Sequence, residues 1–163
     1  MTFQLREQIT PPSNGHIRPL LEKYGLRATR QRLGLAKLLF GKGNRHITAD
    51  VLAAEAQEAR MFASLATVYN VLNLFAEVGL VRSFTVEGGK TIFDTNTTDH
   101  CHYYYEDTGR VTDISAKNIS FAGQFEAPEG YEVVKVDVVV RLRPKRDGQA
   151  PAEAPTTPDN SAH

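Results

Sequence analysis

The chain has 163 residues, 41% of them hydrophobic and 23% charged, enough for one ordinary globular domain or two small ones, which excludes a wholly disordered protein. No apolar run approaches the ~18 residues of a membrane span, and the start MTFQLREQITPPSNG has neither a basic lead nor an apolar signal core, so a cytoplasmic protein with no membrane partner is expected. The formal net charge of +0 conceals an asymmetry: residues 1–97 carry twelve Lys and Arg against eight Asp and Glu, and residues 98–163 carry seven against eleven.

In chain order, residues 1–16, with Pro11, Pro12 and Gly15, read as a flexible arm. Ile17 to Tyr24 forms a short helix stopped at Gly25, and Thr29 caps a second helix running to about Phe40. Thr48 caps a third, with Asp50 in its first turn and Ile47 able to staple onto Leu52; the Ala-rich run continues it to Arg60. From Arg18 to Arg45, eight basic residues (Arg18, Lys23, Arg27, Arg30, Arg32, Lys37, Lys42 and Arg45) face only Glu22, which points to a polyanion partner for this half.

Residues 64–80, SLATVYNVLNLFAEVGL, read as the helix around which the chain is organised. Leu65, Val68, Leu72 and Phe75 recur at spacings of three and four and form a core-facing stripe. Ser64 is the N-cap and Gly79 with Leu80 the left-handed stop. The opposite face carries Ala66, Thr67, Tyr69, Asn70 and Asn73, uncharged and able to hydrogen-bond; Asn pairs bidentately with adenine, and an aromatic edge can contact a thymine methyl. The alternative for this face is plain solvation.

After Leu80 the period changes to alternation: Val81 to Val86 and Thr91 to Asp94 read as two strands around the EGGK turn. Helices followed by a β-hairpin make an amino-terminal winged helix-turn-helix over residues 17–95, with Lys90 beside Gly88 and Gly89 placed for phosphate contact. Beyond a linker-like TNTTD at residues 95–99, a second α/β unit over residues 96–143 completes an α+β chain. It comprises strands His100 to Glu106 and Arg110 to Ile114, a short helix within Ser115 to Phe125, and a long strand from Tyr131 to Leu142. Val134, Val136, Val138, Val140 and Leu142 share one face of that last strand, and a second copy of the chain is the simplest cover, so a homodimer is expected. Residues 144–163, rich in Pro and Ala, read as a disordered tail.

His100 and His102 lie two apart on a strand and project from one face, where both imidazoles can reach one ion. Asp94 ends the hairpin, Asp113 leaves the neighbouring strand, and His46 opens the third helix. Three imidazoles and two carboxylates form a mixed N/O set suited to Fe(II) or Mn(II), although Zn(II) binds such ligands well. The competing assignments are a helix-start residue near phosphate for His46 and surface strand ends for the two aspartates. Cys101, the single cysteine, rules out an internal disulfide and any zinc cage built on two or four thiolates.

RATRQR (27–32), HITAD (46–50), SLATVYN (64–70), EVGLVR (77–82), GGKTIFD (88–94) and DHCHYYYEDTGRVTDI (99–114) together resemble the ferric uptake regulator (Fur) family in motif order and spacing. Within it, LFGKGNRH, Asn70 where many members have Arg, and FDTNTTDH are similar to the iron response regulator (Irr) branch. The resemblance implies a dimeric, iron-responsive transcriptional regulator, mainly a repressor, of iron and haem metabolism genes. It implies operator contacts by Ser64, Thr67, Tyr69 and Asn70, phosphate or minor-groove contacts by Arg27, Arg30 and Arg32, and a wing contact by Lys90. His46, Asp94, His100, His102 and Asp113 would be the regulatory metal ligands.

Tyr105 and Thr108 stand where many relatives carry Cys-x-x-Cys, so no four-cysteine structural zinc is expected. The Irr branch also implies haem, with His100, Cys101 and His102 as axial-ligand candidates, although strand alternation points Cys101 away from the two histidines. Two alternatives stay open: a peroxide-sensing Fe/Mn-dependent repressor, and a small non-haem iron enzyme using His100, His102 and Asp94 as a facial triad.

Overall fold

The computed structural model describes residues 16–115 and 125–145. Four helices lead: α1 (Ile17–Lys23), α2 (Arg30–Phe40), α3 (Ala49–Glu58) and α4 (Leu65–Glu77). Six strands accompany and follow them: β1 (His46–Ile47), β2 (Arg82–Thr85), β3 (Thr91–Asp94), β4 (His100–Tyr105), β5 (Val111–Ser115) and β6 (Val139–Leu142). They form two three-stranded sheets, ordered β1-β3-β2 and β5-β4-β6; every pairing is antiparallel except that of β4 with β6. No helix among the described residues is long and apolar enough to cross a membrane.

Local chemistry fixes the helix ends. Thr29, Thr48 and Ser64 each accept a hydrogen bond from the backbone N–H three residues on, satisfying a donor that the first turn leaves orphaned. At the far ends, α1 and α4 close with paired bonds that run back into the last turn: Leu26 N–H to Leu21 O and Gly25 N–H to Glu22 O, then Leu80 N–H to Phe75 O and Gly79 N–H to Ala76 O. Gly25 and Gly79 adopt the positive φ this closure requires.

The end of α3 uses the same pattern, but Arg60 occupies the left-handed position with φ 54. A side chain there costs about 1 kcal/mol. Arg60→Gly is expected to stabilise the fold by about 0.5 to 1 kcal/mol, read as a higher urea midpoint with unchanged slope.

The main core lies among the helices and is built from Leu21, Leu35, Leu39, Leu52, Leu72 and Phe75, with Ile47 and Phe93 contributed by the first sheet. Along α4 the buried face is Val68, Val71, Leu72 and Phe75. Leu65, expected in that stripe, is the first residue of α4 and 44% exposed, while Val71, not expected there, is buried. Tyr69 is half-buried against the core, whereas Asn70 and Asn73 face solvent.

The β2–β3 hairpin packs on the second sheet. Phe84, Val86 and Ile92 meet Tyr104, Val111 and Val139. Arg141 bridges Glu87, next to the hairpin tip, and Glu106. Arg82 reaches Asp137 at 3.1 Å, and Lys135 donates to the Ser83 carbonyl at 3.1 Å.

Two expectations about the second unit change. Of the long strand expected over Tyr131 to Leu142, Val139–Leu142 forms the strand, parallel to β4; residues 131–138 are not strand, although the Val138 carbonyl accepts from His102 N–H at 3.0 Å. Val134 there is 85% exposed, and Tyr131, Val133 and Val136 are exposed with it. The helix expected within Ser115 to Phe125 lies almost entirely outside the described residues, as do residues 1–15 of the arm and most of the tail.

Candidate metal centre

Strand register assembles the site. His46 faces Asp94 across β1 and β3, and His102 faces Asp113 across β4 and β5; directly opposed residues share a face of their sheet. His100, two residues before His102, joins the same face of β4. One ligand atom from each of these five residues lies within 4.8 Å of the others.

Asp94, fully buried, aims Oδ2 at His100 Nε2 (2.8 Å), His102 Nε2 (3.1 Å) and His46 Nε2 (3.6 Å). Asp113 aims Oδ1 at His46 Nε2 (2.9 Å), His100 Nε2 (3.4 Å) and His102 Nε2 (3.9 Å). The His102 ring stacks on Phe84 with centroids 4.2 Å apart, which fixes its plane.

The donor set fits a divalent cation on an observation of its own. His100 Nδ1 sits 2.7 Å from the Thr98 carbonyl oxygen, which only accepts, so Nδ1 carries a proton and neutral His100 turns the lone pair of Nε2 toward the carboxylates. His46 Nε2 and His100 Nε2 are buried and make no directed hydrogen bond, although each lies within 3 Å of a carboxylate oxygen. The His100 lone pair facing two anions in a buried spot calls for positive charge there, from a proton or from a metal cation.

The electrostatics of the cluster agree. Burial alone would push His100 down, but the Asp113 and Asp94 carboxylates outweigh it and raise the imidazole to about 10. Burial likewise opposes ionisation of Asp113 and Asp94, yet contacts with the histidines hold both carboxyls below their usual range. A proton on His100 and a divalent ion answer the same electrostatic need, so an ion held here would displace that proton.

His46 is set in place by its neighbour. Arg45 makes a bidentate pair with Glu55 (3.0 and 2.7 Å), and its backbone exchanges bonds with Thr95. The Arg45 hydrogen bond holds the Glu55 carboxyl below its usual range. Lys42 joins Glu55 at 2.9 Å. Arg45 and Lys42, counted from sequence toward a polyanion surface, therefore share one carboxylate, which offsets one of their two charges, and Lys42 stays exposed. A cleft of about 260 Å³ lined by His46, Thr48, Lys90 and Arg110 opens beside the cluster.

Cys101 is not among the converging groups. Alternation along β4 turns it to the other face, opposite Ile114, where burial pushes its thiol up. The haem-ligand trio His100, Cys101 and His102 is thus not assembled on one face, and the two histidines alone share the site.

The expected DNA contacts are dispersed over one half. Arg27, Arg30, Asn70 and Lys90 are exposed. Arg32 is half-buried and donates to the Arg27 carbonyl at 3.1 Å, so part of its hydrogen-bonding capacity is spent on the turn before α2. Ser64 and Thr67 bond to one another through their hydroxyls (2.9 Å) as part of the α4 cap.

Sequence reasoning missed the segment between Asp94 and His100, taken as a linker. Thr95 and Thr97 are buried, Asn96 contacts both aspartates, and Thr98 orients His100. The signal available was its position, a run of short hydrogen-bonding side chains joining two ligands.

A sequence model described as the Ferric uptake regulator family matches residues 23–141. The ferric uptake regulation protein of Haemophilus influenzae is 36% identical over 122 residues, covering 74% of this chain and 82% of that protein. Among solved structures, the ferric uptake regulator from Pseudomonas aeruginosa with manganese superposes with a TM-score of 0.63 at 28% identity, over 80% of this chain and 98% of that one. The Campylobacter jejuni peroxide stress regulator gives 0.52 at 28% identity, over 79% and 96%. A family model spanning most of the sequence, with structures that share its α+β fold, establishes that the chain belongs to the ferric uptake regulator family.

Proposed function

We propose that this protein is an iron-responsive repressor that holds a divalent ion, Fe(II), Mn(II) or Zn(II), on His46, Asp94, His100, His102 and Asp113 and binds operator DNA as a homodimer in the cytoplasm. Fur family proteins are metal-responsive DNA-binding transcription regulators rather than enzymes. The observation that carries the reading is the origin of the five donors: His46 and Asp94 stand on the first sheet, and His100, His102 and Asp113 on the second. A bound divalent ion supplies the positive charge that these donors lack. The chain's own side chains, reaching from both sheets, then fix the angle between residues 17–95, a winged helix-turn-helix, and residues 96–143, the sensing and dimerisation half.

In that assignment α4 enters the major groove, with Tyr69 and Asn70 toward base edges and Ser64 and Thr67 at its amino-terminal turn. Arg27, Arg30, Arg32 and Lys90 hold phosphate or the minor groove. Val134 and Val136, exposed members of the apolar face expected over Val134 to Leu142, would be covered by a second copy. The Irr resemblance adds iron and haem metabolism genes as targets, and haem as a competitor for His100 or His102. Both imidazoles are buried, so haem gains them only when the cluster opens.

Fluorescence anisotropy on DNA from the protein's own upstream region tests this. Six phosphate contacts from a dimer predict a loss of affinity of about 10³-fold between 50 and 200 mM salt. Mn(II) is expected to tighten binding by about 5- to 150-fold. Binding that ignores both salt and Mn(II) would refute the proposal.

A second reading, a peroxide sensor, is favoured by the all-N/O donor set and the likeness to the Campylobacter jejuni regulator. A gain of one oxygen on His46 or His100 after peroxide, with Fe(II) present, separates it from a plain iron sensor.

A further inference from the structure

Each aspartate of the cluster has two carboxylate oxygens, and only one of each faces the histidines. The other oxygen of both goes to the same residue. The Asn96 backbone N–H donates to Asp94 Oδ1 at 2.8 Å, and the Asn96 side-chain amide Nδ2 donates to Asp113 Oδ2 at 3.0 Å. Asp94 therefore offers Oδ2, and Asp113 offers Oδ1.

The orientation of the Asn96 amide is determined by its surroundings. Its Oδ1 accepts from the Thr98 backbone N–H (3.2 Å) and the Thr98 hydroxyl (2.6 Å). A backbone N–H can only donate, so the oxygen of the amide must face Thr98 and the nitrogen must face Asp113. The carbonyl of Thr98 in turn holds His100 Nδ1 and accepts from Arg82 Nη1 at 2.6 Å. One short turn thus sets the presentation of three of the five donors.

We propose that Asn96 is the positioning residue that limits both aspartates to a single donor oxygen, so that the site offers three nitrogens and two oxygens. An ion that takes six donors would keep one place open on such a set. This deepens the metal reading above and rests on it. Released from Asn96, Asp113 can turn both oxygens inward, which adds a donor, closes the open place and changes the symmetry around the ion.

Two variants separate this role from a structural one. Asn96→Asp keeps an oxygen for the Thr98 N–H, and so keeps the turn, but cannot donate to Asp113 when ionised. Asn96→Ala loses both. The measurements are Mn(II) affinity by calorimetry and the electron paramagnetic resonance spectrum of bound Mn(II), whose zero-field splitting reports ligand symmetry.

Outer-shell losses weaken metal binding by about 10- to 100-fold. Asn96→Ala is expected to fall in that range; Asn96→Asp should lose less, because its added carboxylate attracts the cation, and each variant should show an altered Mn(II) spectrum with native circular dichroism. Asn96→Asp with wild-type affinity and spectrum would overturn the role of Asn96 while leaving the metal site standing. Wild-type protein that binds no Mn(II) would overturn the metal reading and this inference together.

Discussion

Alanine at His102 is expected to weaken Mn(II) binding by roughly a hundredfold or more, beyond the ~10- to 100-fold typical of an outer-shell loss. His102 is almost wholly buried, stacked on Phe84 and 3.1 Å from Asp94 Oδ2. No other described imidazole or thiol lies near enough to replace it, since the cluster already includes His46 and His100 and Cys101 faces away. The substitution also leaves a void beside Phe84, so a lower unfolding midpoint accompanies the binding loss. His102→Gln fills most of that void without restoring an imidazole. If His102→Gln recovers stability but not Mn(II) affinity in calorimetry, the loss belongs to the missing nitrogen; if either variant binds Mn(II) as the wild type does, His102 is no ligand.

Phe75→Ala should destabilise the protein by about 3 to 5 kcal/mol, the cost of emptying a large buried site. Phe75 is fully buried at the centre of the helical core, and its carbonyl receives both the Leu80 and Val81 N–H groups at the end of α4. Loss of the ring loosens the packing beneath the turn that launches β2. Leu65→Ala, on the same helix but nearly half exposed, is the control, and its cost should stay below about 1 kcal/mol. Urea unfolding followed by circular dichroism measures both. Similar midpoints for the two variants would mean that the stripe along α4 does not carry the core.

The sequence was most informative where one residue's chemistry decides its place. Thr29, Thr48 and Ser64 announce helix starts because few side chains can accept from the first turn, and each caps as expected. The metal-ligand candidates were legible from His-x-His on a strand together with the family motifs, and they come together in the fold. What stayed hidden depends on partners remote in sequence. Arg45 and Lys42 look like free positive charge until Glu55 is seen beside them. Asn96 resembles any linker residue until two carboxylates converge on it from strands that the sequence separates. The apolar alternation from Tyr131 to Leu142 describes a strand, but alternation does not supply a neighbour, and among the described residues only Val139–Leu142 pairs in a sheet.

The hairpin of β2 and β3 is tied to the second sheet at several points: by Arg141 beside its tip, by Arg82 and Lys135 along its flank, and by Phe84, Val86 and Ile92 beneath. Such a joint does not yield by degrees, because a small rotation strains every tie before any is released. The two halves should therefore interconvert between few discrete arrangements, giving a response with a threshold. Weakening any one of these ties would shift that threshold even though none of them contributes a donor to the ion.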